Sequence, residues 1–466
     1  MTNVLTVHNP YTGEVVGEVP CCHVDDLNRR VETAALGAAE MRTTTLHERR
    51  RMLAASAGRL MEHRAELSAL LTSESGKTIR ETRAEVERAA SIFELAAAEL
   101  VGPTGDVLAL DALPNGAGML GYCMREPRGV IGAITPWNVP LALAAHKIAP
   151  ALAAGNSVVL KPAEQTPLSS LLMCKLLVEA GIPGNALVVC TGLGEEVGAA
   201  VVRHPGIAMV SFTGSREVGV ALPAAAGFKK VSLELGGNSP LVVTPSANLE
   251  AAAVAIVRGA FAVAGQLCIS VQRVIAHRSV MANLVSLVSA ATSRLVVGDP
   301  ASEATNVGTL ISSEACQRVE RLVDDLRLAG AQVLTGGNRL GDCVYQPTVL
   351  AAVVRDHPAV HQEAFGPIVM FITYDQFSEA VQIANSTEYG LNAAIWTTNH
   401  DEAMEGARLL QAGTVIINES TTFRSDLMPY GGIKQSGMGR EGVRFAMEEM
   451  SVYKTVCFGK PAQSVY

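Results

Sequence analysis

The chain has 466 residues, too many for one simple core, so two or three lobes are expected. Hydrophobic residues make up 48% and charged residues 18%, the balance of a globular enzyme with ample apolar surface to bury. A net charge of −8 with no run of lysines or arginines leaves no electrostatic footprint for nucleic acid.

Met1 to Pro10 lack the basic start and apolar centre of a signal peptide. Ile148 to Ala154 is broken by Pro150 and Gly155 too soon to span a bilayer. Nine cysteines, adjacent only at Cys21-Cys22 and without a Cys-x-x-Cys pair, read as reduced thiols. The expectation is a cytoplasmic protein with no membrane or nucleic-acid partner.

Leu46 to Ser75 and Arg83 to Leu100 are rich in Ala, Leu, Glu and Arg and predict long amphipathic helices. Glycines and prolines then punctuate Pro103 to Gly121, a crossing into a small hairpin that includes Gly121 to Arg128. From Val130 onward, short apolar runs (130–135, 157–161, 186–190, 208–212 and 230–235) alternate with helical stretches such as Leu141 to Ala153 and Leu168 to Ala180. That alternation predicts a parallel sheet covered by helices, an α/β fold. A second α/β section follows Asn238, with Leu249 to Ala264 helical and strands near Val274, Val333 and Val415. Glu448 to Phe458 alternates loosely, as does a strand that pairs with another subunit.

The chemistry centres on Cys268, in Ala264-Gly265-Gln266-Leu267-Cys268-Ile269-Ser270, and on Glu234, in Leu233-Glu234-Leu235-Gly236-Gly237. A thiolate that attacks an aldehyde gives a tetrahedral thiohemiacetal, and removal of hydride leaves a thioester. Water must cleave that thioester, which calls for a base. Cys268 fits the first task and Glu234 the second; the plainer alternatives are a buried small hydrophobe and a surface carboxylate. Asn138, in Thr135-Pro136-Trp137-Asn138, follows a strand and can offer an amide N–H to the oxyanion, with the backbone N–H of Cys268 as second donor. Taken alone, it reads more readily as a turn or cap.

Gly192-Leu193-Gly194-Glu195-Glu196-Val197-Gly198 imitates a dinucleotide fingerprint, but its GxGxxxG spacing departs from the standard one. Phe212-Thr213-Gly214-Ser215-Arg216-Glu217-Val218-Gly219 ends a strand and opens a helix, where backbone N–H groups and the Ser215 hydroxyl suit a pyrophosphate. Lys161 and Glu164 lie just past another strand, within reach of an adenosine ribose. A carboxylate there repels a 2′-phosphate and favours NAD over NADP. No His-x-x-x-His pair supports a metal, and no Gly-x-Ser-x-Gly supports a serine hydrolase. His146 reads as a packed core histidine.

Pro136-Trp137-Asn138, Lys161-Pro162-Ala163-Glu164, Phe212-Thr213-Gly214-Ser215, Glu234-Leu235-Gly236-Gly237, Gly265-Gln266-Leu267-Cys268, Glu363-Ala364-Phe365-Gly366-Pro367 and Pro429-Tyr430-Gly431-Gly432 occur in one order. In this the chain resembles the aldehyde dehydrogenase superfamily over nearly its whole length. The resemblance implies Cys268 as nucleophile, Glu234 as deacylating base and Asn138 as oxyanion donor. It implies Glu363 on the nicotinamide ribose and Phe365 beside the nicotinamide. Gly194 and Gly198 become cofactor contacts, together with Thr135, Pro136, Trp137, Lys161, Glu164, Phe212, Gly214, Ser215, Gly219 and Leu235. It also implies a Rossmann-type cofactor domain (1–114 and 129–235), a catalytic domain (236–447) and an oligomerisation arm (115–128 and 448–466), with homodimers or homotetramers usual.

Residues 265–277 and 428–443 are most similar to the branch holding lactaldehyde, phosphonoacetaldehyde and non-phosphorylating glyceraldehyde-3-phosphate dehydrogenases. Arg88, on a helix that borders the substrate tunnel in this family, and Arg424, on the loop that closes it, suit a phosphonate or phosphate tail. The competing expectation pairs Arg88 with Glu85 or Glu87 and Arg424 with Asp426. Where some members of the branch place an arginine before the nucleophile, this chain has Leu267. The leading reading is oxidation of a small anionic aldehyde; the alternatives are a neutral hydroxyaldehyde of the lactaldehyde type and a silent binding protein on the same scaffold. A coenzyme A-acylating relative is disfavoured by the presence of Glu234.

Overall fold

The computed structural model describes residues 4–459. Two helix-covered sheets carry most of the chain, in keeping with the α/β expectation. The first has six strands in the order Gly437–Met438, Lys230–Glu234, Met209–Thr213, Val130–Ile134, Ser157–Lys161 and Leu187–Val189. All pair in parallel except the two-residue Gly437–Met438, which runs antiparallel to Lys230–Glu234. Val130–Ile134 is buried along its whole length, as a parallel strand covered on both faces must be.

On one face lie the helices Leu46–Glu62, Ile79–Glu99 and Pro140–Ala153, whose Leu60, Phe93 and Ile148 share a core with Ile131 and Leu160. On the other, Val24–Thr43 and Arg216–Ala226 bring Leu27, Val31 and Leu222 against Val159 and Val210. Each such fully buried side chain contributes roughly 1.5–3 kcal/mol.

The second sheet has seven strands: Gln332–Thr335, Thr348–Ala351, Ile368–Tyr374, Val271–His277, Ser239–Val243, Asn392–Trp396 and Thr414–Ile417. Only the edge strand Gln332–Thr335 is antiparallel to its neighbour. A third, antiparallel sheet joins Ser451–Phe458, Leu120–Pro127 and Gly105–Leu108. Its last strand lies upstream of residue 115, and residues 460–466 of the expected arm fall outside the described residues, as do residues 1–3.

Three helices differ from their expected spans, one of them mainly at its start: Arg83 to Leu100 is Ile79–Glu99, capped by Thr78. Leu46 to Ser75 is not one helix: it breaks at His63, whose ψ of 17° leaves the helical region and whose Nδ1 sits 2.8 Å from Glu66 Oε2 in the first turn of Arg64–Ser75. Leu249 to Ala264 stops as an α-helix at Phe261, because Val263 and Ala264 adopt positive φ values of 52° and 51°. Among the described residues, no helix is long and apolar enough to cross a membrane, and no group of three or more His, Cys, Asp or Glu is arranged to hold a metal.

Candidate active site

The two large sheets face each other in opposite senses. Thr135 to Asn138, Lys161 to Glu164, Thr213 to Ser215 and Glu234 to Leu235 all leave the carboxyl ends of first-sheet strands. Cys268 and Glu363 to Gly366 instead precede the amino ends of Val271–His277 and Ile368–Tyr374 in the second. In the first sheet the chain order reverses at Val130–Ile134, and an open α/β sheet binds ligands in the crevice beyond such a point. The sequence motifs therefore line one cleft between the lobes.

The segment entering Cys268 is held in a strained form. Val263, Ala264 and Gly265 are left-handed in succession, and such backbone persists only when its surroundings fix it. Glu81 accepts the Val263 N–H at 2.7 Å. Buried Gln266 donates to the carbonyls of Val263 and Thr309 at 3.1 Å each and accepts the Ile311 N–H at 2.9 Å. Asn138 donates its side-chain N–H to the Gln266 carbonyl at 2.8 Å, tying the first-sheet motif to the cysteine loop. On the far side, a Cβ at Gly237 would strike the Cys268 carbonyl, so only glycine fits there.

Cys268 keeps part of its surface open, yet desolvation of its sulfur pushes the thiol up to about 12. The Sγ lies 3.4 Å from the Tyr430 hydroxyl, a partner that residue-by-residue reading of the sequence did not single out although Tyr430 stood in a quoted motif. Glu234 is buried with neither carboxylate oxygen hydrogen-bonded. Burial, then the nearby charge of Glu441, raises it well above the ordinary carboxylate range. A Cβ on Gly431, next to Tyr430, would lie 2.9 Å from its Oε1, so Glu234 and Tyr430 border the same space.

The expected cofactor residues fall along the first-sheet rim and across to the second lobe. Lys161 and Glu164 pair at 2.8 Å, and a Cβ on Gly194 would come within 3.8 Å of the same Lys161 Nζ, so the GxGxxxG segment meets that pair. Gly194–Gly198 forms a wide helical turn. Ser215 caps Arg216–Ala226 by accepting the Val218 N–H at 3.4 Å, and Gly219 packs against Leu235. Phe212 and Leu235 are core side chains beneath this rim.

From the second lobe, Glu363 accepts the Gly237 N–H at 3.0 Å, and burial lifts its carboxyl to about 7. Phe365, at a φ of 42°, meets Trp137 edge-on with ring centroids 5.4 Å apart. Arg318, absent from the sequence-based set, holds that turn by donating to the carbonyls of Ala364 and Phe365 at 2.6 and 3.1 Å. The set fits a dinucleotide: buried Thr135 Oγ1 and Thr213 Oγ1 lack partners, and a capped helix start faces the rim.

Arg88 does not take the partners expected of it, while Arg424 meets its expected partner Asp426 only at longer range. Glu85 pairs with Lys77 and accepts the N–H groups of Leu141 and Ala142 at 2.9 and 3.1 Å, while Glu87 pairs with Arg64 at 2.6 Å. A carboxylate at a helix N-terminus is favoured by the exposed N–H groups, which draws Glu85 away. Arg88 instead pairs with Asp426 at 2.6 Å. Arg424 pairs chiefly with Glu441, at 3.0 Å, with Asp426 farther at 3.7 Å. Glu441 also accepts from Lys147 at 3.0 Å.

His146, at the centre, has its Nε2 3.0 Å from Asp426 Oδ1, where one neutral tautomer donates to the carboxylate and the other accepts from the neighbouring guanidiniums. Its Nε2 also lies 3.1 Å from Arg424 Nη2 and 3.3 Å from Arg88 Nη2. Desolvation, then the Arg424 charge, lowers this histidine to about 4. Asp426 and Glu441 both stay well below the ordinary range: their burial is outweighed by His146 and Arg88 in one case and by Lys147 and Arg424 in the other.

The model of the aldehyde dehydrogenase family matches residues 2–456. The chain belongs to that family. It is 40% identical over 447 residues to a 3-sulfolactaldehyde dehydrogenase of Priestia aryabhattai, covering 96% of this chain and 93% of that one. It is 38% identical over 460 residues to a lactaldehyde dehydrogenase of Methanocaldococcus jannaschii, covering 98% and 97%. Among solved structures, glyceraldehyde-3-phosphate dehydrogenase GapN of Methanocaldococcus jannaschii, complexed with NADP, superposes with a TM-score of 0.94 at 38% identity, covering 98% of this chain and 99% of that one. As an aldehyde dehydrogenase the protein is an oxidoreductase that oxidises an aldehyde with NAD(P).

Proposed function

We propose that this aldehyde dehydrogenase oxidises a short aldehyde bearing an anionic group, of phosphonate or phosphate type, to its carboxylate, with NAD preferred. One observation carries the anionic tail. Arg88, Arg424 and Lys147 set three basic side chains against two carboxylates, Asp426 and Glu441, one tyrosine away from the Cys268 sulfur. The cluster holds one more basic side chain than carboxylates in a largely buried setting, where an anion is worth most. Arg88 keeps Nη1 free of hydrogen bonds among the described residues and has 31% of its side chain exposed, so it is the group that can reach a tail.

Cys268 then adds to the aldehyde carbon. The second N–H of the Asn138 amide and the Cys268 backbone N–H hold the oxygen as it becomes negative. A bound nicotinamide supplies the hydride acceptor. Trp137 and Phe365 wall that part of the cleft, and Glu363 takes the ribose, which its acceptance of the Gly237 N–H beside Glu234 to Gly236 supports. Glu234 takes the proton from the water that cleaves the thioester, which frees the acid and restores the thiol. The Lys161–Glu164 pair supports NAD, since a 2′-phosphate would meet the Glu164 carboxylate.

We assign the cofactor domain to the six-stranded lobe and the catalytic domain to the seven-stranded lobe. The three-stranded sheet is the oligomerisation arm of a homodimer or homotetramer, which its exposed Val107, Leu120, Tyr453 and Phe458 support. A cytoplasmic setting is in keeping with this soluble-substrate chemistry.

A second reading, a neutral hydroxyaldehyde, is favoured by a specific observation: both guanidiniums already have carboxylate partners, and Leu267 adds no charge beside Cys268. Comparing kcat/KM for phosphonoacetaldehyde and lactaldehyde separates them. The anionic reading expects a preference of about a hundredfold or more for the phosphonate, roughly 2.7 kcal/mol. An equal or reversed preference overturns it in favour of the neutral substrate.

A further inference from the structure

Tyr430 is buried, and a buried phenol normally finds a hydrogen-bond partner. Its hydroxyl has one, the Cys268 sulfur at 3.4 Å. The ring is not free to choose another. Its backbone forms a two-way bridge with Glu441, Tyr430 N–H to Glu441 O at 3.0 Å and Glu441 N–H to Tyr430 O at 2.7 Å. The Arg424 guanidinium carbon lies 3.7 Å from the ring centroid, stacked on the face. Arg424 is in turn fixed by Glu441, and its side chain is only 7% exposed.

We propose that the Tyr430 hydroxyl is a catalytic hydrogen-bond donor to the Cys268 sulfur, and that Arg424 is a positioning residue that strengthens the donor by drawing charge from its ring. This rests on the reading of Cys268 as nucleophile. A thiolate can only accept, so once Cys268 loses its proton to bulk water through its open face, the contact must run from Tyr430 O–H to sulfur. Tyr430 keeps its own proton, because burial, followed by the charge of Cys268, holds the phenol well above its ordinary range against the opposing pull of Arg424. The charged and titratable groups facing the sulfur are Tyr430, Glu363, Glu234 and Arg424. Glu363 and Glu234 oppose a thiolate; Arg424 and the tyrosine hydroxyl favour it. Of these, only the hydroxyl touches the sulfur.

The arrangement has a consequence for recognition. Arg424 belongs at once to the cationic cluster and to the Tyr430 ring, so its placement affects both the tail and the reactivity of the nucleophile. No sequence spacing marks this chain of contacts, since an aromatic hydroxyl next to a Gly-Gly turn has no distinguishing pattern.

The test is the rate of iodoacetamide alkylation of Cys268 as a function of pH, followed by peptide mapping and by loss of activity. In Tyr430→Phe, alkylation at a pH near 8 should slow by about tenfold, because thiolate that loses a charge-assisted hydrogen bond is populated less at every pH below the thiol pKa. kcat/KM should fall by about the same factor, while the dissociation constant for NADH stays unchanged, which a general loss of structure would not spare. Replacing Tyr430 by 3-fluorotyrosine, a more acidic phenol of nearly the same shape, should accelerate alkylation, and it serves where the phenylalanine variant folds poorly.

Superimposable pH profiles for the parent and either variant, with activity lost in step with Cys268 labelling, overturn the role of Tyr430 and leave the nucleophile standing. Activity that survives complete alkylation of Cys268 overturns the nucleophile itself and the inference with it.

Discussion

The two ends of the site treat polar groups in opposite ways. Around Cys268 they are left wanting: Glu234 has no hydrogen bond on either oxygen, Thr135 and Thr213 keep orphaned hydroxyls, and Asn138 has an unpartnered carbonyl. A few side chains away, Arg88, Asp426, His146, Arg424, Glu441 and Lys147 form a continuous network in which each charged group has an opposite partner, although His146 Nδ1 and Arg424 Nε make no hydrogen bond. An unsatisfied buried polar group costs about 1–3 kcal/mol, so the first arrangement lowers stability unless something binds there. The second fixes shape and sets charge. The contrast separates groups that must change partners during a reaction cycle from groups that must not.

Breaking the reactive end should give the largest effect. Glu234→Gln keeps size and polarity but cannot take a proton. Stopped-flow measurement should show a burst of NADH close to one per site, followed by steady turnover slowed by about 10²–10⁴-fold. The wild-type hydrolytic step should also have a definite pH sign. Because the carboxyl is raised by burial, it is mostly protonated at low pH, and deacylation must climb as the pH rises through that elevated value. An unchanged steady rate in Glu234→Gln, or a deacylation rate flat in pH, would assign the base to another group and remove the contrast at its root.

The two ends were not equally legible in the sequence. The reactive end was, because the proposed nucleophile, base and oxyanion donor lie within short motifs next to strand ends, where alternation of apolar runs and helices already marks the crevice. The tail end was not. Arg88 finds Asp426 across 338 positions and Lys147 finds Glu441 across 294, and no local spacing announces such pairs. The nearby alternatives for Arg88 failed for a reason only tertiary structure supplies: Glu85 is taken up by the start of Pro140–Ala153. Backbone strain was likewise hidden. Nothing in the composition of Ala262 to Ala264 forbids helix, and left-handed Val263 and Ala264 exist because Glu81 and Gln266 hold them.

An intermediate effect should follow from opening the network where it meets solvent. Arg88→Ala removes the guanidinium that is partly exposed and leaves Asp426 with His146 as a partner. If an anionic tail binds there, KM for phosphonoacetaldehyde should rise by about ten- to a hundredfold, as expected for loss of one charge-assisted hydrogen bond in a partly buried site, with little change for acetaldehyde. Parallel rises for both aldehydes would mean that Arg88 serves only to hold Asp426, and the tail pocket would then be neutral.

The smallest effect should be on stability, and it tests whether the tail network is as fixed as its pairing implies. His146 is enclosed with arginines at 3.1 and 3.3 Å, and desolvation lowers it from an ordinary 6.5 to about 4. A depressed base is neutral in the folded protein over a range where the unfolded chain takes up a proton. Its contribution is therefore complete above 6.5 and is lost progressively as the pH falls towards 4, by roughly 3 kcal/mol across that window. In His146→Gln, which has no group that titrates, the fall in unfolding free energy between those limits should be shallower than in the parent. Asp426 and Glu441, held below the ordinary range in the folded protein, also cost stability near the acid end of this window as their unfolded forms take up protons, but both proteins share that loss and it drops out of the difference between them. Equal slopes in denaturant titrations of the two proteins would mean that His146 can take up a proton in place, with Asp426 compensating the arginines. The network would then adapt its charge to the pH, and the distinction between a fixed end and a reactive end would weaken to one of degree.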